Sequence, residues 1–400
     1  MDSRLHDYAV ITGNYWAFTL TDGALRMLVV LHFHTLGFTP FEIASLFLFY
    51  EFFGIVTNAV GGWLGAWIGL NRTMQIGLLI QITALSMLLV PESMLTMVWV
   101  MVAQALSGIA KDLNKMSAKS SMKLIARDQD NGLYRIVAFL TGSKNALKGA
   151  GFFVGAILLS VFGFQGAVIA MVSMLTLVWL LSLLLLRREL GVMKNKPKFS
   201  QIFSKSRAVN WLSLARFFLF GARDVWFVVA LPVFLHETVR WDFWQVGGYL
   251  ASWIIIYGFI QAVAPKLTGR DQTPQAVKAQ LVMFGGLLTL IPAGIAIALT
   301  RDFPIVCVVT FGLLLFALLF ATNSALHSYL IVCFARADGA SLDIGFYYMA
   351  NAGGRLAGTI ASGALYQWTG LEACLWISTL LIASASITAL LVPGEDEGAA

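Results

Sequence analysis

The sequence has little charge, few cysteines and none of the common enzyme motifs. Acidic and basic residues make up 12% of the 400 residues, whereas soluble domains average about 25%, so the chain is not a soluble protein. Only three cysteines occur, far apart in apolar stretches, which excludes a disulfide framework and a cysteine-ligated metal site. The motifs HExxH, GxSxG and GxxxxGK[S/T] are absent. We therefore expect no enzyme activity, no ATP hydrolysis, no metal and no cofactor.

Long apolar runs take the place of the missing charge. The chain is 58% apolar, with a mean hydropathy of +0.79, and such runs are typical of membrane-spanning helices. We predict an all-α membrane protein, embedded in lipid, with spans at 9–34, 41–67, 73–90, 94–118, 133–161, 166–186, 208–235, 243–264, 275–299, 304–330, 341–366 and 371–392. The polar break 187–207 is the longest. It divides the chain into an N-terminal six-helix half (1–190), a linker (191–207) and a C-terminal six-helix half (208–400) with a short acidic tail.

The loop charges give the orientation. On the side of the N-terminus the predicted loops contain 17 of the 27 lysines and arginines, and the opposite loops contain only Arg240 and Arg301. Because cytoplasmic loops accumulate Lys and Arg, both termini and the linker are predicted to be cytoplasmic. The bases do not form one solvent-facing block, so we expect no nucleic-acid partner.

The remaining basic residues lie inside the spans, where a charge is costly. These eight residues are Arg26, Lys111, Lys115, Lys144, Lys148, Arg216, Arg223 and Arg355. The acidic residues that we set against them are Asp22, Glu51, Asp112 and Asp224. A surplus of positive charge at this cost predicts a basic cavity that binds a small anionic substrate, and we assign these eight bases to it. We assign no aromatic side chain to the substrate.

Two lysine series follow helical spacing. Lysines at 111, 115, 119 and 123 are each four residues apart, so they stay near one face of the fourth span. We interpret this series as a basic path for an anion entering from the cytosol. For Lys119 and Lys123 the alternative is a cytoplasmic anchor. Lys144 and Lys148 repeat the spacing in the fifth span, and their alternative is pairing with acids of spans 1 or 7.

Four acidic residues and one histidine are candidates for proton coupling or charge pairing, namely Asp22, Glu51, Asp112, Asp224 and His327. Asp22 lies one turn before Arg26, so the two could simply neutralise each other. Arg216 and Arg223 are seven residues apart, on one helix face, and arginine suits bidentate binding of phosphate-like groups. The structural alternative for Arg355 is a salt bridge to Asp338 or Asp343.

Several long stretches of the sequence resemble the organoarsenical efflux permease (ArsJ-type) family of the major facilitator superfamily. These are FTLTDGALRMLVVLHF (18–33), LFYEFFGIVTNAVGGW (48–63), AQALSGIAKDLNKMSAKS (103–120), LTGSKNALKGAGFF (140–153) and the segment 196–228. The superfamily has two six-helix halves with a basic central loop. Its usual motif after span 2, G-x-L-A-D-R-x-G-R, is altered here, because Ala66 and Trp67 replace the Asp and the base.

The resemblance implies a major-facilitator-type fold and an exporter of the bacterial inner membrane. It further implies 1-arseno-3-phosphoglycerate as the substrate, and thereby arsenate resistance and a functional link to glyceraldehyde-3-phosphate dehydrogenase, which makes this ester. The alternative is a transporter of another phosphorylated metabolite, such as a sugar phosphate or phosphoglycerate, because the same basic residues would serve both.

Overall fold

Helices dominate the computed structural model. It describes residues 3–38, 46–125, 133–186, 190–193, 198–203, 206–241, 243–269, 273–301, 303–336 and 339–393. Within these ranges the chain forms eleven α-helices and no β-strand. They are α1 (Ser3–Thr35), α2 (Leu48–Ile68), α3 (Leu70–Ser86), α4 (Met97–Ile125), α5 (Leu133–Leu185), α6 (Arg207–Phe227), α7 (Ala230–Glu237), α8 (Phe243–Thr268), α9 (Pro274–Leu299), α10 (Ile305–Phe334) and α11 (Ala340–Leu390).

Two of these helices contain two predicted spans each. Helices α5 and α11 change direction at Gly163 (φ 68°) and Gly370 (φ 80°), the non-helical residues inside them. Glycine is suited to both positions because it has no Cβ to clash at positive φ. Helices α6 and α7 lie end to end and together fill the seventh predicted span. The helices thus match the predicted twelve-span, all-α plan, although single glycines replace two of the predicted breaks.

The distribution of apolar residues separates the helices into two groups. Seven described helical stretches are long and apolar enough to cross a membrane, and two of them exceed 50 residues. Helices α1, α2 and α4 are not among the seven. They are the helices that carry Asp22, Glu51 and the lysines beginning at Lys111. Charged side chains inside a helix lower its hydropathy, which is consistent with the absence of these three helices from the seven, although α5, α6, α10 and α11 also carry candidate site residues.

The chain forms two compact units that exchange short segments. Unit 1 comprises Met1–Asp130, Ser143–Phe203 and Ala335–Met349, and unit 2 comprises Asn131–Gly142, Ser204–Phe334 and Ala350–Ala400. The start of α5 thus belongs to unit 2, and the start of α11 belongs to unit 1. The boundary predicted from the linker at 191–207 stays a prediction.

Glycines permit both exchanges. In unit 1 a Cβ on Gly62 of α2 would lie 2.5 Å from the carbonyl oxygen of Ser341 in α11. In unit 2 a Cβ on Gly142 of α5 would lie 2.5 Å from the carbonyl oxygen of Gly258 in α8. No real Cβ fits at such distances, so only glycine lets these helix backbones approach so closely.

Each unit has its own apolar core. In unit 1, residues such as Leu28 and Phe33 of α1 pack against Leu78 of α3 and Val168 of α5. In unit 2 the core is aromatic, because the buried rings of Trp226, Trp253 and Phe316 contact one another or common neighbours. Trp226 and Trp253 are fully buried, so these two rings face neither lipid nor the membrane interface.

Backbone hydrogen bonds connect the turn between α2 and α3 to Leu190 and Met193 of the polar break 187–207. Gly69 makes the turn with φ 105°. The backbone N–H of Leu70 donates to the carbonyl of Leu190 (2.8 Å), and that of Met193 donates to the carbonyl of Ala66 (3.0 Å). The ring of Trp63 stacks on that of Trp67, one turn later. Backbone hydrogen bonds and stacked rings thus occupy the place where the superfamily motif usually has its Asp and base.

Candidate functional site

Unit 1 gathers a set of charged residues from α1, α2, α4 and α5 that we call the lysine cluster. Its members are Arg26, Lys111, Lys115, Lys144 and Lys148, with Asp22, Glu51 and Asp112 among them. The basic side chains are mostly buried; those of Lys111 and Lys115, for example, are 13% and 15% exposed. Charges held at such burial need partners or a ligand, because desolvation penalises them.

Asp112 is clamped by its neighbours on α4. Its Oδ1 lies 2.5 Å from Nζ of Lys115, and its Oδ2 lies 3.7 Å from Nζ of Lys111. The ammonium of Lys115 also lies 4.7 Å from the ring centroid of Tyr348 in α11. One carboxylate therefore orients the first two lysines of the predicted series.

The third lysine of the series, Lys119, is buried inside the protein. Lys119 is only 3% exposed, so the interpretation of this residue as a cytoplasmic anchor that reaches water is wrong. The physical reason is that α4 continues to Ile125, which places Lys119 within the packed helix rather than at its end. The side chain of Lys123 lies outside the described residues.

Asp22 and Arg26 contact different partners, although they lie one turn apart on α1. Asp22 accepts a 2.6 Å hydrogen bond from the hydroxyl of Tyr50 and lies 3.7 Å from Nζ of Lys148. The guanidinium of Arg26 lies 3.5 Å from Oε1 of Glu51. The structure thus shows cross-helix pairs, α1 with α5 and α1 with α2, in place of the local pair considered from spacing.

Lys144 and Lys148 reach different surroundings. Lys148 pairs with Asp22 of α1, the first-span acid that we considered as the alternative. Lys144, one turn earlier, donates to Oδ1 of Asn145 at 3.2 Å. Beside it, the hydroxyl of Ser143 accepts from Nε1 of Trp16 at 3.0 Å, which fixes this turn of α5 against α1.

Unit 2 contains an all-arginine counterpart, the arginine cluster: Arg223 and Arg355 contact Asp224, and Arg216 shares the ring of Phe220 with Arg223. Asp224 is fully buried, and its Oδ1 lies 2.5 Å from Nη2 of Arg223 while its Oδ2 accepts from Nε of Arg355 at 3.0 Å. A single carboxylate thereby holds two guanidinium groups from α6 and α11. Arg355 therefore pairs with Asp224, an acid that we did not consider for it from the sequence. Asp343 instead binds Arg336 through both oxygens, and Asp338 lies outside the described residues.

Arg216 has neutral partners. Its Nε donates to Oδ1 of Asn351 (2.9 Å), and its Nη1 donates to the hydroxyl of Ser324 (3.0 Å). The same hydroxyl lies 3.2 Å from the hydroxyl of Tyr257 and 3.1 Å from Nε2 of Gln261. This buried region is rich in donors, because an arginine has five N–H groups and no acceptor.

His327 completes this polar region. It follows Ser324 by three residues, which places both on one side of α10, and it is 1% exposed. Its Nδ1 makes no hydrogen bond among the described residues.

Aromatic rings support the cations in both units, and the sequence interpretation missed them. Lys111 and Arg26 lie 3.8 Å and 4.9 Å from the ring centroid of Tyr50. Arg216 and Arg223 lie 3.9 Å and 4.9 Å from that of Phe220. These distances are typical of cation–π contacts. The sequence signal was weak, because Tyr50 and Phe220 lie in apolar runs like those of lipid-facing rings.

Ser324 and Asn351 were also missed, and here a signal existed. The polar run TNSALHSY (322–329) interrupts an otherwise apolar helix. A buried polar run inside a span indicates an internal network, because lipid cannot satisfy its hydrogen bonds.

A family comparison identifies the architecture. The model of the Major Facilitator Superfamily matches residues 11–337. The chain belongs to the major facilitator superfamily. Its two intramembrane charge clusters are therefore features of a multi-pass membrane transporter, and the twelve-helix, major-facilitator-type fold predicted from sequence is confirmed.

Solved structures of the superfamily share this fold at low sequence identity. FucP in its outward conformation, described as a fucose:proton symporter of E. coli, superposes with a TM-score of 0.73 at 12% identity, covering 98% of this chain and 99% of FucP. The human organic anion transporter MFSD10 gives 0.72 at 15% identity, covering 98% and 100%. The proton:xylose symporter XylE gives 0.72 at 13% identity, covering 98% and 95%. The sequence matches none of the curated proteins with which it was compared.

Proposed function

We propose that this superfamily member is a secondary active exporter of an organic polyanion. The observation that carries the proposal is the excess of positive charge in the two clusters, where eight bases accompany four acids. Each of the four acids already contacts at least one base. Charges at this depth are costly to keep, and a polyanionic substrate would supply the balancing negative charge.

The chemistry of the bases supports an oxyanion as ligand. Arginines present planar forks that match phosphate and carboxylate groups, whereas lysines act as compact point charges. A phosphate monoester contributes about two negative charges near neutral pH. A substrate with two such groups would balance the whole surplus of four charges in the clusters.

We propose 1-arseno-3-phosphoglycerate as this substrate. It carries a phosphate group and an arsenate ester, and the support for it is the resemblance of the stretches within 18–228 to the organoarsenical efflux permeases. In this proposal glyceraldehyde-3-phosphate dehydrogenase forms the ester from arsenate, and export confers arsenate resistance. Superfamily members with the same fold are described as fucose, xylose and organic anion transporters, so the fold by itself selects no substrate.

The distribution of loop charges supports the orientation that we propose. The linker and the loops on its side hold 17 of the 27 lysines and arginines. Both termini would then lie in the cytoplasm of a bacterial inner membrane, and the substrate would enter from the cytosol.

For energy coupling we propose proton antiport through the buried acids Asp22 and Asp224. They lie in α1 and α6, the first helices of the two sequence halves, and each contacts a substrate-binding candidate. Glu51, Asp112 and His327 are further candidates. We expect Asp22→Asn and Asp224→Asn to remove the pH dependence of transport in everted vesicles. Unchanged pH dependence in both variants would favour exchange against inorganic phosphate.

The substrate is tested by arsenate resistance in an arsenate-sensitive bacterium. The chain is expressed with and without glyceraldehyde-3-phosphate dehydrogenase, and arsenic in the medium is measured. We expect resistance and arsenic efflux only when both proteins are present. If a chain that has reached the membrane gives no resistance with either arrangement, the organoarsenical substrate is wrong, and other phosphorylated metabolites become the candidates for vesicle assays.

Charge-neutral variants test the basic site itself. We expect Lys111→Gln, Lys144→Gln or Arg223→Gln to abolish export while the protein still inserts. Arg301→Gln is the matched control, because Arg301 is an exposed loop base. Normal export by all three cluster variants would contradict the basic-site proposal.

A further inference from the structure

Tyr50 joins three charged residues of the lysine cluster. It lies on α2 and is 2% exposed. Its hydroxyl donates to Oδ1 of Asp22 on α1 (2.6 Å), while its ring lies 3.8 Å from Nζ of Lys111 on α4. The guanidinium of Arg26 lies 4.9 Å from the same ring. A single tyrosine therefore contacts one acid and two bases, each with the part of its side chain suited to that charge.

The two ends of the side chain act differently on the local charge. A ring face attracts a cation but leaves its positive charge in place. A hydroxyl that donates to a carboxylate satisfies one of its oxygens without adding charge. Asp22 is one helical turn from Arg26, so its carboxylate could otherwise pair with that guanidinium. The Tyr50 hydroxyl donates to Oδ1 of Asp22, and the other oxygen of this carboxylate, Oδ2, lies near Nζ of Lys148.

We infer that Tyr50 is a positioning residue for anion binding. Its hydroxyl keeps Asp22 from competing with the anion for Arg26 and Lys111, and its ring holds those two cations in place. The inference rests on the proposed function, since it concerns the same basic site, and it names a residue that touches the charged groups instead of the substrate.

The experiment measures binding of 3-phosphoglycerate and of inorganic phosphate to the full chain in lipid nanodiscs. Tyr50→Phe keeps the ring and removes the hydroxyl, and we expect about tenfold weaker binding of 3-phosphoglycerate, the size expected for one hydrogen bond to a charged group. Tyr50→Leu also removes the ring, and we expect a further loss of about threefold from the cation–π contacts. Tyr249→Phe is the matched control, because that hydroxyl donates to the backbone carbonyl of Thr310 and not to a cluster residue.

A double-variant cycle separates positioning from packing. In the Asp22→Asn background the carboxylate that the Tyr50 hydroxyl restrains is gone, so Tyr50→Phe should change binding by less than about twofold. In transport assays Tyr50→Phe should raise KM and leave the maximal rate nearly unchanged.

The outcomes separate the inference from the proposed function. Binding of 3-phosphoglycerate by the unmodified chain with no effect of Tyr50→Phe overturns the role of Tyr50 alone. An equal loss in both backgrounds also overturns it, because a packing defect does not depend on the charge of Asp22. An unmodified chain that binds neither 3-phosphoglycerate nor inorganic phosphate overturns the anion site, and with it both proposals.

Discussion

The lysine cluster of unit 1 and the arginine cluster of unit 2 balance their charges in different ways. In unit 1 three carboxylates are distributed among several bases, most of them lysines, and Lys148 and Arg26 each pair across helices. In unit 2 one fully buried carboxylate, Asp224, holds two arginines. The lysine cluster therefore has several separable ion pairs, whereas both ion pairs of the arginine cluster share Asp224.

The aromatic supports sharpen the contrast. Tyr50 and Phe220 each contact two cations, and the pair of distances to the ring centroid is nearly the same for the two residues. Only Tyr50 has a hydroxyl, and it donates to an acid. In unit 2 the carboxylate of Asp224 is already paired with Arg223 and Arg355. Asp22 in unit 1 is thus held by one neutral donor and one ammonium group, whereas Asp224 in unit 2 is held by two guanidinium groups.

The largest expected effect comes from removing the shared acid of unit 2. Asp224→Asn leaves two neighbouring guanidinium groups without their carboxylate, and breaking a buried pair in this way costs about 3–5 kcal/mol. Asp22→Asn removes one ammonium partner and keeps an acceptor for Tyr50, so its cost should be smaller. We expect the melting temperature in detergent to fall clearly further for Asp224→Asn. Equal shifts would contradict the distinction between shared and separable pairs.

The next effect concerns the close backbone contacts in each unit. A methyl group at Gly62 in unit 1 or at Gly142 in unit 2 would collide with a backbone oxygen of the facing helix. We expect Gly62→Ala and Gly142→Ala each to cost about 1–3 kcal/mol, as overpacking does, measured as a lower melting temperature. Gly294→Ala is the control, because its added Cβ would meet nothing within 4 Å.

Exchanging the two basic residue types should have an intermediate effect. Arg223→Lys loses the fork that binds Asp224 through Nε and Nη2, and we expect transport to fall by about tenfold. Lys111→Arg keeps both of its contacts, a ring and a carboxylate at 3.7 Å, so transport should change by about threefold at most. If transport tolerates Arg223→Lys but not Lys111→Arg, the assignment of fork binding to unit 2 is wrong.

The smallest effect is expected from the ring of unit 2. Phe220→Leu removes cation–π contacts with Arg216 and Arg223 while their hydrogen bonds remain. We expect substrate affinity to weaken by about threefold, less than for Tyr50→Leu. A larger effect for Phe220→Leu in the same binding assay would contradict the special role of the Tyr50 hydroxyl.

Much of the fold could be predicted because lipid imposes a simple constraint. Apolar length and polar breaks located the helices, since every backbone group inside a bilayer must be satisfied within a helix. The predicted ends of α9 at 275 and 299 fall within one residue of Pro274 and Leu299. The predicted breaks around Gly163 and Gly370 were too long, because a single glycine with positive φ turns the chain there without a loop.

Most partners within the site could not be predicted, although an acid of the first span was considered for Lys148. Spacing along one helix suggested Asp22 with Arg26, yet the structure pairs these residues with Lys148 and Glu51. Arg355 likewise pairs with an acid 131 residues away. Periodicity reports which residues share a helix face, and it contains no information on which face of another helix lies opposite.

The helical membrane architecture and the excess of intramembrane positive charge could both be predicted from the composition along the chain and from the cost of charge in lipid. The pairing of each acid with its base depends on the tertiary structure. So do the burial of Lys119 and the positions of the Tyr50 and Phe220 rings next to the cations. The physical reason is that ion pairs and cation–π contacts act over a few ångströms between helices, and only packing brings helices that are distant in sequence to that range.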